Sequence, residues 1–417
     1  MYAFISIVAA LVGLVVLLRI KVNLGLGMVL SGVFLAVLLG VMPGALWRTL
    51  VEEWNNPEKG LTDTTGYIFV SLAALLLLVN VLGKAMKETG VSDRLLPALQ
   101  GLFRSRRLAL ALIPFIMGML PTPGGIMLSA PMVRDAGDKM GISRSRLAAI
   151  NFYFRHQWES AWPLFPSIYF CQKLFSVPIA TLISYNVILP LAGLTGGIVG
   201  LLLVGIPRKK DGDGPKRRSI SANLLDFGHS FWPIVLAAGL YVGLKWPPAV
   251  GILLSIFGFL AIHKVGFARW GGIFRAAAEP DKVLLIFGAL LFKVVMEAAG
   301  AIPDVVTFFT DMHLPVLLLI FFLPFFVAVA TGLNLVTAMI TFPLLLQYIG
   351  TGSEMAFGLE VLAFSGLLCG VLLTPVHLCL ALSMSYFETS LTKILSKLLL
   401  PLCFIAGAGI VMALIFK

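Results

Sequence analysis

Three ionisable side chains, Arg155, His156 and Glu159, lie within five positions of one apolar stretch. A guanidinium binds carboxylates through paired hydrogen bonds, and an imidazole or a carboxylate can exchange protons. In a purely structural alternative, Arg155 and Glu159 neutralise each other at helical i, i+4 spacing and His156 is a satisfied polar residue. Because each such side chain costs roughly 2.5–3.5 kcal/mol at the centre of a bilayer, we favour a functional interpretation. In it, Arg155 attracts an anion, and His156 with Glu159 forms a proton-coupling pair.

Prolines, glycines and polar residues interrupt four apolar stretches and add further candidate groups. Backbone N–H and C=O groups freed at such breaks can bind ions, and they are tolerated at membrane depth only inside protein or beside a water-filled cavity. The alternative for each break is a simple helix kink, and His377 could either bind a ligand or cap a freed carbonyl. The candidate substrate- or ion-binding residues are Thr122, Pro123, Gly124, Gly125, Asn151, Arg155, Thr331, Gly332, Asn334, Thr374 and His377.

The composition indicates a membrane protein. The 417 residues are 59% hydrophobic and 12% charged, about half the charged fraction of a soluble domain. The surplus apolar surface must face lipid, which excludes a cytosolic enzyme, a secreted disulfide scaffold and a disordered protein. The four cysteines lack metal-ligand or disulfide spacing and are predicted to be small core residues: Cys171, Cys369, Cys379 and Cys403. No metal or cofactor is expected beyond a coupling Na⁺ or H⁺.

Ten apolar runs approach the length of about 20 residues that a transmembrane helix needs. They are 2–18, 24–42, 64–86, 148–174, 179–206, 227–243, 248–263, 282–300, 357–386 and 394–416. The first is interpreted as a retained span, because it lacks a basic leader and a cleavage site. Two further runs, 108–133 and 314–349, are broken at their centres and are predicted to be re-entrant hairpins.

Loop charge predicts the orientation. When both hairpins enter and leave on one side, 24 of the 31 Lys and Arg residues fall on one face and five on the other. This bias is what the positive-inside rule expects for a protein of the cell (inner) membrane. Both termini are then outside, and 207–225 is a basic cytoplasmic linker. The net charge of +11 is therefore an orientation signal, and no nucleic-acid partner is expected.

Similar residues recur in the same order in both halves of the chain. The pairs are Met86 with Met296, Gly90 with Gly300, Thr122 with Thr331 and Pro166 with Pro375, at offsets of 209 or 210. They predict a first repeat over 1–206, with a broken helix at 148–174, and a second over 226–417, with a broken helix at 357–386. Because each repeat has five crossings and one hairpin, the two are inverted, an arrangement typical of secondary transporters.

The segments Pro121–Gly125, Phe154–Glu159 and Thr331–Asn334 resemble an uncharacterised prokaryotic integral membrane protein family. That family is related to the gluconate permeases within the ion-transporter superfamily. The resemblance implies a homodimer in which a transport part moves like an elevator across a scaffold, and many relatives carry organic anions with Na⁺ or H⁺. The Ser-Asn-Thr hairpin signature of the dicarboxylate branch is absent, so that branch's substrate and sodium site are not implied.

The sequence therefore predicts an all-α, multi-pass membrane protein that is a cation-coupled secondary transporter of a small organic anion, such as a carboxylate or sugar acid. The expected partners are this anion, the lipid bilayer and a second copy of the chain. An ion channel and a cation/proton antiporter without organic substrate remain alternatives. So does an intramembrane enzyme using His156 and Ser160, although phosphate-loop, zinc-protease and serine-hydrolase motifs are absent and no enzyme activity is expected.

Overall fold

The computed structural model describes residues 1–56, 60–103, 105–119, 126–204 and 219–416, and within them the chain is helical without any β-strand. The first half contains α1 (Tyr2–Arg19), α2 (Leu24–Leu38), α3 (Pro43–Trp54), α4 (Thr65–Glu88), α5 (Val91–Leu102), α6 (Arg106–Met117), α7 (Ile126–Asp138), α8 (Arg144–Arg155), α9 (Pro166–Phe175), α10 (Ile179–Asn186) and α11 (Ile188–Gly197). The second half contains α12 (Ile220–Leu244), α13 (Pro248–Ile262), α14 (Phe267–Ala277), α15 (Pro280–Ala298), α16 (Ala301–Asp311), α17 (Val316–Thr331), α18 (Asn334–Ile349), α19 (Phe357–Leu373), α20 (Leu378–Phe387) and α21 (Leu391–Ile415).

Among the described residues, six helical segments have the length and composition to cross a membrane. They are Tyr2–Arg19, Thr65–Glu88, Ile179–Leu203, Ile220–Leu244, Phe357–Phe387 and Leu391–Ile415, and a seventh is added if α15 and α16, bent by 73°, form one span. The predicted spans 24–42 and 248–263 contain only the 15-residue helices α2 and α13. At 1.5 Å per residue each is about 22 Å long, less than the roughly 30 Å of a hydrocarbon core. The chain is thus a multi-pass membrane protein with fewer full-length spans than predicted.

The two predicted hairpin regions each contain a pair of short helices packed together. The pair α6 and α7 has 12 and 13 residues, and α17 and α18 have 16 each. In the second pair, Gly332 makes the turn with φ +69°, a backbone conformation that glycine adopts without steric cost. The predicted first tip, with Thr122, Pro123, Gly124 and Gly125, lies outside the described residues.

Both predicted broken helices are interrupted where prolines occur. Helix α8 ends at Arg155, a 3-10 turn covers Gln157–Ser160, and α9 begins at Pro166. In the second half, α19 ends at Leu373 and α20 begins at Leu378. Proline lacks an amide hydrogen and restricts the residue before it, so Pro375 prevents α19 from continuing. In the first half, Pro163 and Pro166 keep the segment between the 3-10 turn and α9 from forming an α-helix. These breaks place polar backbone inside the protein.

Four short helices, α3, α5, α14 and α16, were not predicted. Each has one apolar face and only 11 or 12 residues. A search for apolar runs of about 20 residues therefore does not detect them. Helices α5 and α16 both follow a left-handed glycine, Gly90 or Gly300, with φ +70° and +60°. The proposed sequence pair Gly90/Gly300 therefore has the same local conformation in both halves.

Contacts between the halves are reciprocal. In chain order, α1, α2, α4, α5, α7 and α9 correspond to α12, α13, α15, α16, α18 and α20. Helix α2 packs on α15 and α13 on α4; α1 contacts α16 and α12 contacts α5; α9 contacts α18 and α20 contacts α7. Each of these contacts thus has a counterpart in which the halves are exchanged.

Candidate functional site

The two broken segments and the second helix pair meet around one cavity of about 240 Å³. Its polar side chains come from both halves of the chain. Those lining it are Arg155, His156, Glu159 and Ser167 from the first half and Asn334, His377 and Cys379 from the second. The remaining lining residues are Leu76, Gly118, Phe165, Pro166, Leu285, Leu333, Leu335 and Leu378. Most of the wall is apolar, with a few convergent polar groups, which is typical of a small-molecule site.

Arg155 is held at the end of α8 against the end of α6. Its guanidinium donates a hydrogen bond to the Met117 carbonyl oxygen at 2.9 Å, and the residue is 5% exposed. Gly118 makes this approach possible, because a Cβ there would lie 2.2 Å from the Arg155 carbonyl oxygen. The arginine is thus fixed in place while it borders the cavity.

Glu159 and Asn334 join the two halves. The Asn334 amide donates a hydrogen bond to the Glu159 carboxylate across 175 positions of sequence. Glu159 lies in the 3-10 turn and Asn334 is the first residue of α18. The predicted i, i+4 relation of Arg155 and Glu159 on one α-helix is wrong, because that helix ends at Arg155.

His156 and His377 face each other across the same boundary. Their Nε2 atoms are 3.0 Å apart, and each Nδ1 lies 2.6 Å from a backbone carbonyl oxygen, that of Phe152 or Gly332. The His156 Nε2 is 3.9 Å from a Glu159 carboxylate oxygen. The structure therefore brings the predicted His156–Glu159 pair together, and its assignment to proton coupling stays a prediction.

Three other predicted site residues, Asn151, Thr331 and Thr374, are buried near the cavity. The hydrogen bonds found for their side chains are made to other groups of the protein. The Asn151 side chain accepts from Ser129 Oγ at 2.6 Å and donates to the Ile126 carbonyl oxygen at 3.2 Å. The Thr374 hydroxyl donates to the Val329 carbonyl, and the hydroxyls of Thr331 and Thr337 are 3.0 Å apart. These residues position the segments that carry the cavity lining. Their predicted contact with a substrate stays a prediction.

Cys379 was missed as a site residue. It borders the cavity, and its thiol, with the two imidazoles, forms a group whose ligand atoms lie within 4.8 Å of one another. The interpretation of all four cysteines as core residues is also wrong for Cys403, which is exposed. The available signal was the spacing His377-x-Cys379, but the third member, His156, is 221 positions away from His377.

Lys293 and Glu297 lie away from this site. Their ammonium and carboxylate groups form a local ion pair, at 2.7 Å. This pair satisfies the charge of Lys293 within α15, and neither residue borders the cavity. This geometry indicates a structural role for both ionisable residues.

Comparison with known proteins adds a fold and a family. The chain is similar to the YdaH transporter of Alcanivorax borkumensis, whose crystal structure is described as revealing an unusual topology; the TM-score is 0.53 at 13% identity, over 90% of this chain and 89% of that one. At this identity the likeness concerns the fold alone. A comparison with curated proteins finds no match. The model of a family described as "Protein of unknown function (DUF401)" matches residues 4–416. Since this match spans nearly the entire sequence, the chain belongs to the DUF401 family.

Proposed function

We propose that the protein is a cation-coupled secondary active transporter of a small organic anion, such as a carboxylate or a sugar acid. The observation that carries the proposal is the cavity between the two halves, in which Arg155 and Glu159 from one half meet Asn334 and His377 from the other. A substrate site formed by broken helices and helix pairs from both halves is typical of secondary transporters with internal repeats.

The size and charge of the cavity favour a small anion. A volume of 240 Å³ equals that of about eight water molecules, at about 30 Å³ each in the liquid. The guanidinium of Arg155 is suited to bind a carboxylate, because its N–H donors match the two oxygens. The apolar lining residues then surround the carbon skeleton of the solute.

A coupling cation balances the charge. A substrate carboxylate neutralises Arg155, and a cation, Na⁺ or H⁺, neutralises Glu159. The loaded site then carries no net charge from these groups, which lowers the cost of carrying them through the low-dielectric part of the membrane. The empty site is balanced as well, because Arg155 and Glu159 carry opposite charges, whereas a site that holds only the anion or only the cation keeps one unbalanced charge. This difference can couple the two fluxes.

The proposed mechanism is an elevator-type movement in an inverted repeat, within a homodimer. The repeated order of helices, the reciprocal contacts of α2 with α15 and α13 with α4, and the equivalent glycines support the repeat. The relation to the gluconate permeases and their superfamily belongs to the same proposal. A cation/proton antiporter or channel without organic substrate is the alternative, favoured by the closeness of the His156 and Glu159 side chains.

Uptake into proteoliposomes tests the proposal. We expect at least one radiolabelled monocarboxylate or sugar acid to accumulate above equilibrium under an inward proton or sodium gradient. Accumulation should vanish when an ionophore dissipates that gradient, while empty liposomes serve as the control. Movement of inorganic ions alone, with no anion accumulated under either gradient, would support the alternative and contradict the proposal.

The side of the membrane on which each loop lies gives a second testable prediction. In a variant lacking the four native cysteines, Lys87→Cys and Lys139→Cys should react with an impermeant maleimide from the same side of the membrane. Both positions are exposed, and they flank the helix pair α6 and α7, which is too short to cross. Lys245→Cys, also exposed, should react from the opposite side. Labelling of Lys87→Cys and Lys139→Cys from opposite sides would rule out a re-entrant first hairpin.

A further inference from the structure

The two facing imidazoles require a cation between them. A carbonyl oxygen only accepts hydrogen bonds, so Nδ1 of His156 donates to the Phe152 carbonyl and Nδ1 of His377 donates to the Gly332 carbonyl. A neutral imidazole has one N–H, so both Nε2 atoms then present lone pairs. At 3.0 Å these lone pairs repel unless a proton or a metal ion lies between them.

The geometry points to a binding site for a divalent transition metal of the Zn²⁺ class, formed by His156 Nε2, His377 Nε2 and Cys379 Sγ, with the Glu159 carboxylate as the fourth ligand. The three nitrogen and sulfur atoms lie within 4.8 Å of one another, and a Glu159 oxygen is 3.9 Å from His156 Nε2. Two imidazoles, a thiolate and a carboxylate form a donor set that binds Zn²⁺ and its neighbours rather than Na⁺, Mg²⁺ or Ca²⁺.

The distances fit with small adjustments. Two Zn–N bonds of about 2.1 Å at a tetrahedral angle separate the nitrogens by about 3.4 Å, against the 3.0 Å observed. A nitrogen and a sulfur ligand are separated by about 3.5 Å, so the Cys379 side chain has to move by little more than about 1 Å. The imidazoles are therefore already in place.

The hydrogen bonds around the proposed ligands are those typical of protein metal sites. A metal-bound histidine usually donates its other N–H to a carbonyl or a carboxylate, which fixes the ring, and both rings here do so. Asn334 holds the Glu159 carboxylate in the same way. The thiolate and the carboxylate together balance the charge of a divalent ion, as a membrane interior demands. Because the Glu159 carboxylate is also the group proposed above for the coupling cation, the metal and that cation would compete for it. Bound metal would link the broken segment of the first half to that of the second.

Cobalt substitution tests the site without any transport measurement, so its failure is distinct from failure of the transport proposal. The full-length, reduced, detergent-purified protein, with any affinity tag removed, is titrated with Co²⁺. We expect visible d–d bands of a four-coordinate ion and a near-ultraviolet thiolate-to-cobalt charge-transfer band. Zn²⁺ should displace Co²⁺, and Mg²⁺ and Ca²⁺ should not. Bound metal should also raise the melting temperature by mass action.

Matched variants assign the ligands. Cys379→Ser should remove the charge-transfer band and weaken Co²⁺ binding at least about tenfold, and His377→Gln should weaken it similarly. Cys403→Ser, at an exposed position, should leave both signals unchanged. Thermal melting of each metal-free variant verifies that it is folded. Absence of Co²⁺ binding would show that the imidazoles share only a proton, and loss of the signal in Cys403→Ser would place the metal elsewhere; either result overturns the site.

Discussion

Replacing Arg155 by alanine is expected to reduce uptake of the organic anion at least about thirtyfold. The guanidinium is the buried cation on the cavity wall, and removing one partner of a buried charge pair costs 2–5 kcal/mol. At 1.4 kcal/mol per factor of ten, the lower value corresponds to about thirtyfold. The measurement is the initial rate of uptake into proteoliposomes under the same cation gradient as for the parent protein.

Arg155→Lys should give an intermediate rate. Lysine keeps the positive charge but offers a compact ammonium instead of the planar set of donors that matches a carboxylate. Arg134→Ala is the matched control, since Arg134 is a partly exposed arginine in an i, i+4 ion pair with Asp138. Its uptake should equal that of the parent. Thermal melting separates loss of binding from loss of fold, because Arg155 also donates to the Met117 carbonyl. Full uptake by a folded Arg155→Ala protein would show that the anion binds elsewhere.

The sequence predicted the local features of the site well. Pro166, the first residue of α9, and Pro375, between α19 and α20, mark the two breaks directly, because a proline acts on its own neighbourhood in the chain. Apolar length also identified most helices, and the turn at Gly332 occurs between two short helices, as its position in a broken apolar run suggested. Periodicity and composition are local properties, so they could be read without a structure.

Contacts between distant segments could not be predicted in this way. The hydrogen bond from Asn334 to Glu159 joins residues 175 positions apart, and nothing in either local sequence specifies the other. Cys379 was assigned to the core because His156, its neighbour in space, is far away in sequence. The short helices α5 and α16 were missed for another reason: with 12 and 11 residues, they are too short to meet the length criterion for a transmembrane span. The contacts between the two halves, which local sequence does not specify, therefore determine how the site is assembled.

Replacing Asn334 by aspartate is expected to give the second large effect. Asn334→Asp places a carboxyl group where the amide now donates to Glu159, so that donor is lost, and the two carboxyl groups must either repel each other or take up a shared proton. We expect the variant to lose roughly 1–3 kcal/mol of stability, the cost of leaving a buried charged group without its donor. The melting temperature of the purified protein in detergent near neutral pH measures this loss.

The double variant Glu159→Gln with Asn334→Asp should recover most of that stability. Each substitution keeps the size of the side chain, and together they restore one amide donor and one carboxylate acceptor with their positions exchanged. Glu159→Gln alone should be milder than Asn334→Asp, because two amides can still form a hydrogen bond. Recovery in the double variant requires that the two side chains touch in the folded protein, since distant substitutions simply add their effects. A double variant no more stable than Asn334→Asp would therefore contradict the contact on which the shared cavity, and its joint use by both halves, depends.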